Sequence, residues 1–130
     1  YVLSGKARLN SVVELDDGGF LVDPADGPPQ PDEFLNHSCD PCLGMRGDVT
    51  IVARRDIPAG GELTIDYGMY RGIDWVVDPG HVMPCCCGTP FCRGAIRADD
   101  HLTAPSLIAR YGDLVAPYLR REAASAVMIA

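Results

Sequence analysis

Four cysteines fall within eight residues in the second half of the chain, and this cluster constrains the fold more than any other feature. They are Cys85, Cys86, Cys87 and Cys92. Such spacing is poor for a disulfide framework, and no secretory signal is visible, so metal binding is the better interpretation. In an extended segment Cys85 and Cys87 face one side and Cys86 the other, and a turn over residues 88–90 returns Cys92 to the same point. Three thiolates in the pattern C-x-C-x4-C suit a tetrahedral zinc ion.

A structural zinc site usually takes four protein ligands, so a fourth donor must come from elsewhere. The candidates are Cys39, Cys42, Cys86 and His81. The residues themselves do not separate Cys39 from Cys42, and they leave Cys86 and His81 as weaker candidates. The alternative to a zinc site is a set of reduced thiols or an oxidised pair.

Composition indicates one globular domain. The chain has 130 residues, 47% of them apolar and 22% charged, which suffices for a real core. Its 14 glycines and 11 prolines predict short strands joined by many turns. No apolar run approaches the roughly 20 residues that span a bilayer, so no membrane contact is expected. A net charge of −7 disfavours nucleic-acid binding and would attract a basic peptide, although it also serves plain solubility.

Residue patterns up to position 84 predict hairpins and loops. Two hairpins are expected, with strands over residues 8–15 and 20–23, and over residues 43–46 and 49–54. A strand with alternating faces is expected over residues 62–67. The other segments are an irregular loop over residues 24–31, a helical turn over residues 33–36 and a loop over residues 68–84.

The remaining chain changes character and predicts two helices. Thr103 can cap a short helix that has Pro105 in its first turn and stops at Gly112. Asp113 can cap a second helix over residues 114–127. Packing of both helices against the strands is the expected role of this segment.

Two further segments carry polar groups next to apolar residues. The segment NHSCDP, residues 36–41, is either a turn before a proline or a ligand-binding stretch, because Asn36 offers both a donor and an acceptor. Tyr67 ends the strand ELTIDY. By itself a tyrosine at a strand end is commonly a residue at the edge of the core.

Three motifs in this order resemble the second half of a SET domain with its post-SET zinc loop. They are NHSCDP (residues 36–41), RRDIPAGGELTIDYG (residues 54–68) and C-x-C-G-x-P-x-C-R-G (residues 85–94). The resemblance runs from about Asn10 to Arg97, and RYGDLVAPYLRR resembles the C-terminal extension of bacterial members. It implies a mainly β, β-clip-like fold of small curved sheets with a pseudoknot, a threading that usual topology rules exclude.

The resemblance also implies domain limits and site residues. Residues 1–84 are the C-terminal portion of the SET domain, residues 85–97 the post-SET zinc loop and residues 98–130 a helical extension; the family's G-x-G cofactor loop is not found in residues 1–130. The implied zinc ligands are Cys39, Cys85, Cys87 and Cys92. Asn36 and His37 match the family's cofactor-binding pair, and Tyr67 matches its catalytic tyrosine.

The function implied by the resemblance is methyl transfer from S-adenosyl-L-methionine to a protein lysine, with zinc in a structural role. The expected partner is a basic peptide or protein, and the expected location is the bacterial cytoplasm, with secretion as an effector left open. The alternative is a degenerate SET module that keeps zinc and fold and only binds a partner protein.

Overall fold

A computed structural model describes residue 8 and residues 12–129, apart from the side chains of residues 73 and 105. The strands in this part of the chain are short. They are β1 (Val13–Glu14), β2 (Phe20–Leu21), β3 (Asn36–His37), β4 (Leu43–Arg46), β5 (Thr50–Ala53), β6 (Thr64–Ile65), β7 (Val82–Pro84) and β8 (Ala95–Arg97). The α-helices are α1 (Ile73–Val77), α2 (Asp100–Thr103), α3 (Pro105–Tyr111) and α4 (Pro117–Ile129), and 3-10 turns cover Pro31–Phe34, Tyr67–Met69 and Gly112–Leu114.

These strands form four two-stranded sheets within the described residues, which confirms the predicted architecture of small sheets. Three pairs are antiparallel: β1 with β2, β4 with β5, and β7 with β8. The pair β3–β6 is parallel, with Asn36 opposite Thr64 and His37 opposite Ile65. This pairing joins two motifs that are almost 30 residues apart. The pseudoknot stays a prediction.

Both predicted hairpins form; β4 has the predicted bounds, and the other three strands are shorter than expected. In the second hairpin Gly47 adopts φ 65°, a left-handed conformation that glycine takes without strain, and this places Arg46 opposite Thr50. In the first hairpin only residues 13–14 pair as β1, and residues 9–11 of the predicted strand lie outside the described part.

Three predictions about the middle of the chain were wrong. The strand expected over residues 62–67 is only Thr64–Ile65, because the Asp66 carboxylate accepts the Gly68 N–H at 2.9 Å and starts a 3-10 turn there. The loop expected over residues 68–84 contains α1 and β7. The helical turn lies at Pro31–Phe34 rather than residues 33–36, so Asn36 is free to join β3.

The two predicted tail helices exist, but their starts differ from the prediction. Gly112 ends α3 with φ 53°, as expected. Thr103 does not cap α3, because it belongs to α2 and its hydroxyl bonds the Asp99 carbonyl oxygen at 3.1 Å. Asp113 sits within a 3-10 turn, and α4 begins only at Pro117, whose missing N–H is tolerated at a first helical position.

Two apolar clusters form the core. The larger cluster packs the tail helices against the sheets, and its buried members are Cys42, Leu43, Met45, Ile65, Met69, Leu107, Tyr111, Val115, Ala116, Tyr118 and Leu119. The smaller one joins Trp75 and Ile96 to Cys39 and Cys85. The tail is therefore part of the main core, and the smaller cluster supports the cysteines. No helix in the described ranges is both long and apolar enough to cross a bilayer.

Candidate metal centre and catalytic cleft

The hairpin β7–β8 positions the late cysteines. Its connection, residues 85–94, is called the cysteine loop below; it carries Cys85, Cys86, Cys87 and Cys92. The loop closes on itself, because Cys85 N–H donates to the Gly94 carbonyl at 3.0 Å and Cys92 N–H donates to the Thr89 carbonyl at 3.0 Å. The turn at residues 88–90 predicted from the sequence thus brings Cys92 back to the start of the loop.

Cys39 reaches the cysteine loop from the other side of the molecule. Its Sγ lies 3.8 Å from Cys85 Sγ, and Cys92 Sγ lies 3.7 Å from Cys85 Sγ. Cys39 N–H also points at Cys87 Sγ, at 3.5 Å. A tetrahedron with metal–sulfur bonds of about 2.3 Å has edges of about 3.8 Å, so these two sulfur–sulfur separations match thiolates that share one zinc ion.

His37 is a fifth potential donor at this centre. The ligand atoms of His37, Cys39, Cys85 and Cys87 lie within 4.8 Å of one another. However, His37 Nδ1 accepts the Tyr67 N–H at 3.1 Å, and burial lowers the pKa of the imidazole, so the neutral ring carries its proton on Nε2. That N–H faces Cys39 Sγ at 3.2 Å. His37 therefore suits hydrogen bonding to a thiolate better than ligation. The predicted ligand Cys92 is not in that group of four donors, although its Sγ lies 3.7 Å from Cys85 Sγ, so its assignment stays a prediction.

The group of clustered donor atoms includes none of the other sequence candidates for the fourth ligand, Cys42, Cys86 and His81. Cys42 Sγ contacts the Glu62 carbonyl oxygen at 3.4 Å and accepts the Thr64 N–H at 3.3 Å, within the larger core cluster. Cys86 is exposed, in agreement with the prediction that its side chain points away from those of Cys85 and Cys87. Of the two cysteines that the residue pattern could not separate, the structure brings Cys39 to the loop.

The thiols of the centre differ in acidity. Burial raises the pKa of Cys85 to about 12. Burial also acts to raise the pKa of Cys87, but the Thr89 hydroxyl, 3.4 Å from the sulfur, and the Cys39 N–H outweigh it and lower the pKa to about 6. Cys87 is thus the thiolate most readily available to a cation at neutral pH.

Tyr67 lies on the wall of a cleft of about 820 Å³, called the cleft below. Its hydroxyl donates to the Leu35 carbonyl oxygen at 2.7 Å, and its ring meets Tyr70 edge-on at 6.2 Å between centroids. Burial raises the pKa of Tyr67, so the phenol stays protonated at neutral pH. Leu43, Met45, Ile51 and Ile65 are among the apolar residues of the wall.

Carboxylates accompany the apolar wall of the cleft. Its acidic lining residues are Asp23, Asp32, Glu33, Asp48 and Asp74. No lysine, arginine or histidine lines the cleft in the described part of the chain. An apolar groove with acidic groups suits the alkyl stem and cationic head of a basic side chain.

Asn36 and His37, the predicted cofactor pair, are adjacent to both features through β3. The Asn36 side chain is exposed and its Nδ2 donates to Glu62 Oε1 at 2.9 Å, so the amide is open to a ligand on this surface. His37 packs against Tyr67 with ring centroids 5.3 Å apart. The exposed amide can offer both a donor and an acceptor to a ligand on this surface.

Asp66, Arg93 and Tyr111 form a buried polar network that sequence reasoning missed. Arg93 binds both oxygens of Asp66 at 2.7 Å, and the Tyr111 hydroxyl lies 3.0 Å from Asp66 Oδ2 and 2.8 Å from the Cys39 carbonyl oxygen. Burial acts to raise the pKa of Asp66, but Arg93 holds it below its usual range. The available signal was position: Asp66 precedes Tyr67, and Arg93 follows Cys92.

Comparison with known proteins agrees with this geometry. Residues 7–68 match the family described as the SET domain. The H3 lysine-4 specific histone-lysine N-methyltransferase of Saccharomyces cerevisiae is 43% identical over 71 residues, covering 49% of this chain and 6% of that protein. The H3 lysine-9 specific enzyme dim-5 of Neurospora crassa is 34% identical over 82 residues, covering 49% of this chain and 24% of that protein.

Small sheets, a cysteine centre and a tyrosine-lined cleft agree with the sequence match, in which residues 7–68 are similar to the SET domain. A third relative, the H3 lysine-36 specific histone-lysine N-methyltransferase of Aspergillus oryzae, is 40% identical over 70 residues, and the match covers 7% of that protein. The chain thus spans between 6% and 24% of the length of these three relatives.

Proposed function

We propose that this chain takes part in S-adenosylmethionine-dependent methyl transfer to a protein lysine. The observation that carries the proposal is the position of Tyr67, which lines an apolar cleft with acidic groups and lies three residues after Thr64, the strand partner of the exposed Asn36. The names of the relatives, all histone-lysine N-methyltransferases, support the same chemistry.

The lysine amine must lose a proton before it can accept a methyl group. Its reference pKa is about 10.4, so deprotonation at pH 7 costs about 4–5 kcal/mol. Apolar walls such as Leu43, Met45 and Ile65 lower that cost by desolvating the ammonium. The acidic residues of the cleft act earlier, by attracting the cationic side chain from solution.

Tyr67 would then orient the amine. A phenol that donates to a carbonyl, here that of Leu35, can still accept a hydrogen bond on its oxygen. That bond would fix the direction of the nitrogen lone pair, so the contribution is one of positioning. Because its pKa is raised, Tyr67 would not serve as the base; the ammonium proton would leave to solvent.

S-adenosylmethionine would supply the methyl group from its sulfonium to the lysine nitrogen and would leave as the neutral thioether S-adenosylhomocysteine. In this chain the Asn36 amide and the His37 backbone would hold it. Zinc would be bound by Cys39, Cys85, Cys87 and Cys92 and would take no part in the chemistry. Its role would be to fold the cysteine loop against β3.

The test is Tyr67→Phe in the full chain loaded with zinc. Transfer of a radiolabelled methyl group is measured on histone H3 peptides that contain lysine 4, lysine 9 or lysine 36. Loss of orientation predicts a fall in rate on the order of 100-fold, with S-adenosylmethionine affinity unchanged by titration calorimetry. Tyr118→Phe is the matched control, because it removes a buried phenol that does not line the cleft.

The outcomes separate methyl transfer from a binding-only module. Wild-type protein that binds zinc and a basic peptide, but neither binds S-adenosylmethionine nor transfers a methyl group, would contradict the proposal and favour the protein-binding alternative. Loss of cofactor affinity in Tyr67→Phe together with activity would assign Tyr67 a structural role instead.

A further inference from the structure

Arg93 joins three parts of the fold that are distant in sequence. Its backbone N–H donates to Cys39 Sγ at 3.4 Å, so the residue sits at the edge of the metal centre. Its guanidinium binds Asp66 through both terminal nitrogens at 2.7 Å. Its Nε donates to Asp100 Oδ2 at 3.0 Å at the start of α2. The cysteine loop, the segment before Tyr67 and the tail thus meet at one side chain.

Asp66, which Arg93 binds, also fixes the backbone of the 3-10 turn that follows it. The carboxylate is fully buried, and its Oδ1 accepts the Gly68 N–H at 2.9 Å. The Asp66 carbonyl oxygen accepts the Met69 N–H, also at 2.9 Å. Both bonds define the 3-10 turn that begins with Tyr67. The direction of the Tyr67 side chain therefore depends on how the Asp66 carboxylate is held.

The space around the pair leaves little room for a different arrangement. A Cβ at Gly68 would lie 2.7 Å from Leu107 Cδ1 and 3.3 Å from an Arg93 terminal nitrogen. The Arg93 side chain is 15% exposed and that of Asp66 is not exposed. A planar guanidinium fork satisfies both carboxylate oxygens at once, which a lysine ammonium does not do.

A buried ion pair of this kind adds little net stability, because removing two charges from water offsets much of their attraction. Its effect is mainly geometric: breaking either partner leaves an uncompensated charge, so the two segments move together or not at all. In this protein the segments so joined are the cysteine loop and the turn of Tyr67.

We propose that Arg93 is a positioning residue for Tyr67, acting through Asp66. Folding of the cysteine loop around its metal ion places Arg93, Arg93 fixes the Asp66 carboxylate, and the carboxylate fixes the turn from which the Tyr67 ring extends. The link rests on the proposed function only in taking Tyr67 as the group that orients the substrate amine.

The test measures hydrogen exchange of the Gly68 and Met69 amides, which both donate to Asp66, by NMR with and without stoichiometric Zn²⁺ in the full chain. In wild-type protein, zinc slows exchange of both amides by about tenfold or more, because the turn opens less often when Arg93 is placed. In Arg93→Lys, zinc still slows exchange within the cysteine loop, at Cys92, but protects Gly68 and Met69 at most about threefold.

A second variant covers the case in which Arg93→Lys does not fold. Asp66→Asn combined with Arg93→Gln keeps hydrogen-bonding groups at both positions and removes both charges of the pair, although Asp100 then lacks its ion pair with Arg93. We expect the same loss of zinc protection at Gly68. Arg120→Lys is the matched control, because Arg120 forms an ion pair with the exposed Asp113 in the tail. In this variant we expect zinc to protect the Gly68 amide as much as it does in the wild type.

Absorption of the Co²⁺-substituted centre verifies that each variant still assembles four ligands. Zinc protection of Gly68 that persists undiminished in Arg93→Lys and in the double variant would overturn the proposal, and so would its absence in wild-type protein that binds zinc. A failure of the proposed function gives a different result. The protein then transfers no methyl group, but zinc still protects Gly68 in the wild type and still fails to protect it in both variants.

Discussion

Tyr111→Phe tests how the tail holds the metal centre. The Tyr111 hydroxyl lies 2.8 Å from the Cys39 carbonyl oxygen and 3.0 Å from Asp66 Oδ2, and the residue is 4% exposed. Burial raises the pKa of Tyr111, so the hydroxyl is a donor throughout the accessible pH range. The substitution removes this donor and keeps the ring, so it opens no large cavity.

The size of the effect follows from which partners remain. The Cys39 carbonyl oxygen keeps Arg110 Nη1 at 3.0 Å, and Asp66 Oδ2 keeps Arg93 Nη1 at 2.7 Å. Neither acceptor becomes unsatisfied, so the loss is that of one hydrogen bond to a charged group, about 1.5–2 kcal/mol. For a domain of this size the melting temperature falls by roughly 5–8 °C.

The assay is urea denaturation of the zinc-loaded protein, followed by far-UV circular dichroism, with Arg110→Met and the double variant measured beside Tyr111→Phe. The double variant leaves the Cys39 carbonyl oxygen without either side-chain donor, so it is destabilised by about 1–2 kcal/mol more than the sum of the single variants. Additive effects, or a loss below about 0.5 kcal/mol in Tyr111→Phe, would refute the reasoning.

Three further predictions concern the core and the tail. Gly44→Ala places a Cβ 2.8 Å from Leu114 Cβ and destabilises the fold by about 1–3 kcal/mol; an unchanged urea midpoint would contradict this close approach. Leu107→Ala, at a 2% exposed position, costs about 2–5 kcal/mol in the same assay, and a cost below 1 kcal/mol would show that the helix does not pack there. Burial acts to raise the pKa of Glu122, but hydrogen bonds from Arg71 lower it, so its carboxylate stabilises the fold above pH of about 4.3 and this contribution is lost as pH falls. Glu122→Gln therefore reduces the loss of unfolding free energy on acidification, by less than about 1 kcal/mol because the side chain is 43% exposed. A stability–pH curve with the same acid slope as the wild type would refute the assignment.

Local patterns in the sequence predicted what depends on neighbouring residues. The alternation of side-chain directions in an extended segment predicted that Cys86 and Cys85 face opposite sides, and Cys86 is exposed whereas Cys85 is buried. Gly112, which has a left-handed conformation, was predicted as the end of a helix. The resemblance to a known family then chose Cys39 over Cys42, which neither spacing nor composition could do. Both residues are cysteines, and the difference between them lies in the fold: Cys39 contacts Cys85, whereas Cys42 packs in the larger core cluster.

What the sequence did not predict depends on contacts across long separations. Tyr67 was placed at a strand end, but the Asp66 carboxylate starts a turn there, and that carboxylate is held by Arg93, 27 residues later. His37 was assigned to a cofactor through its backbone, while its ring also faces Cys39 Sγ. Side-chain networks of this kind have no sequence periodicity, so no local sequence pattern predicts them.

The larger core cluster has a practical consequence for where this domain ends. Six of its buried residues, namely Leu107, Tyr111, Val115, Ala116, Tyr118 and Leu119, lie beyond Arg97 and so outside the SET and post-SET motifs, and five of them fall in RYGDLVAPYLRR. A recombinant fragment cut after Arg97 would retain every cysteine and the candidate tyrosine, yet expose Ile65 and Met69 to water. The smallest autonomous unit is therefore set by hydrophobic contacts made beyond the cysteine motif, and expression boundaries drawn at the end of that motif would produce an aggregating protein.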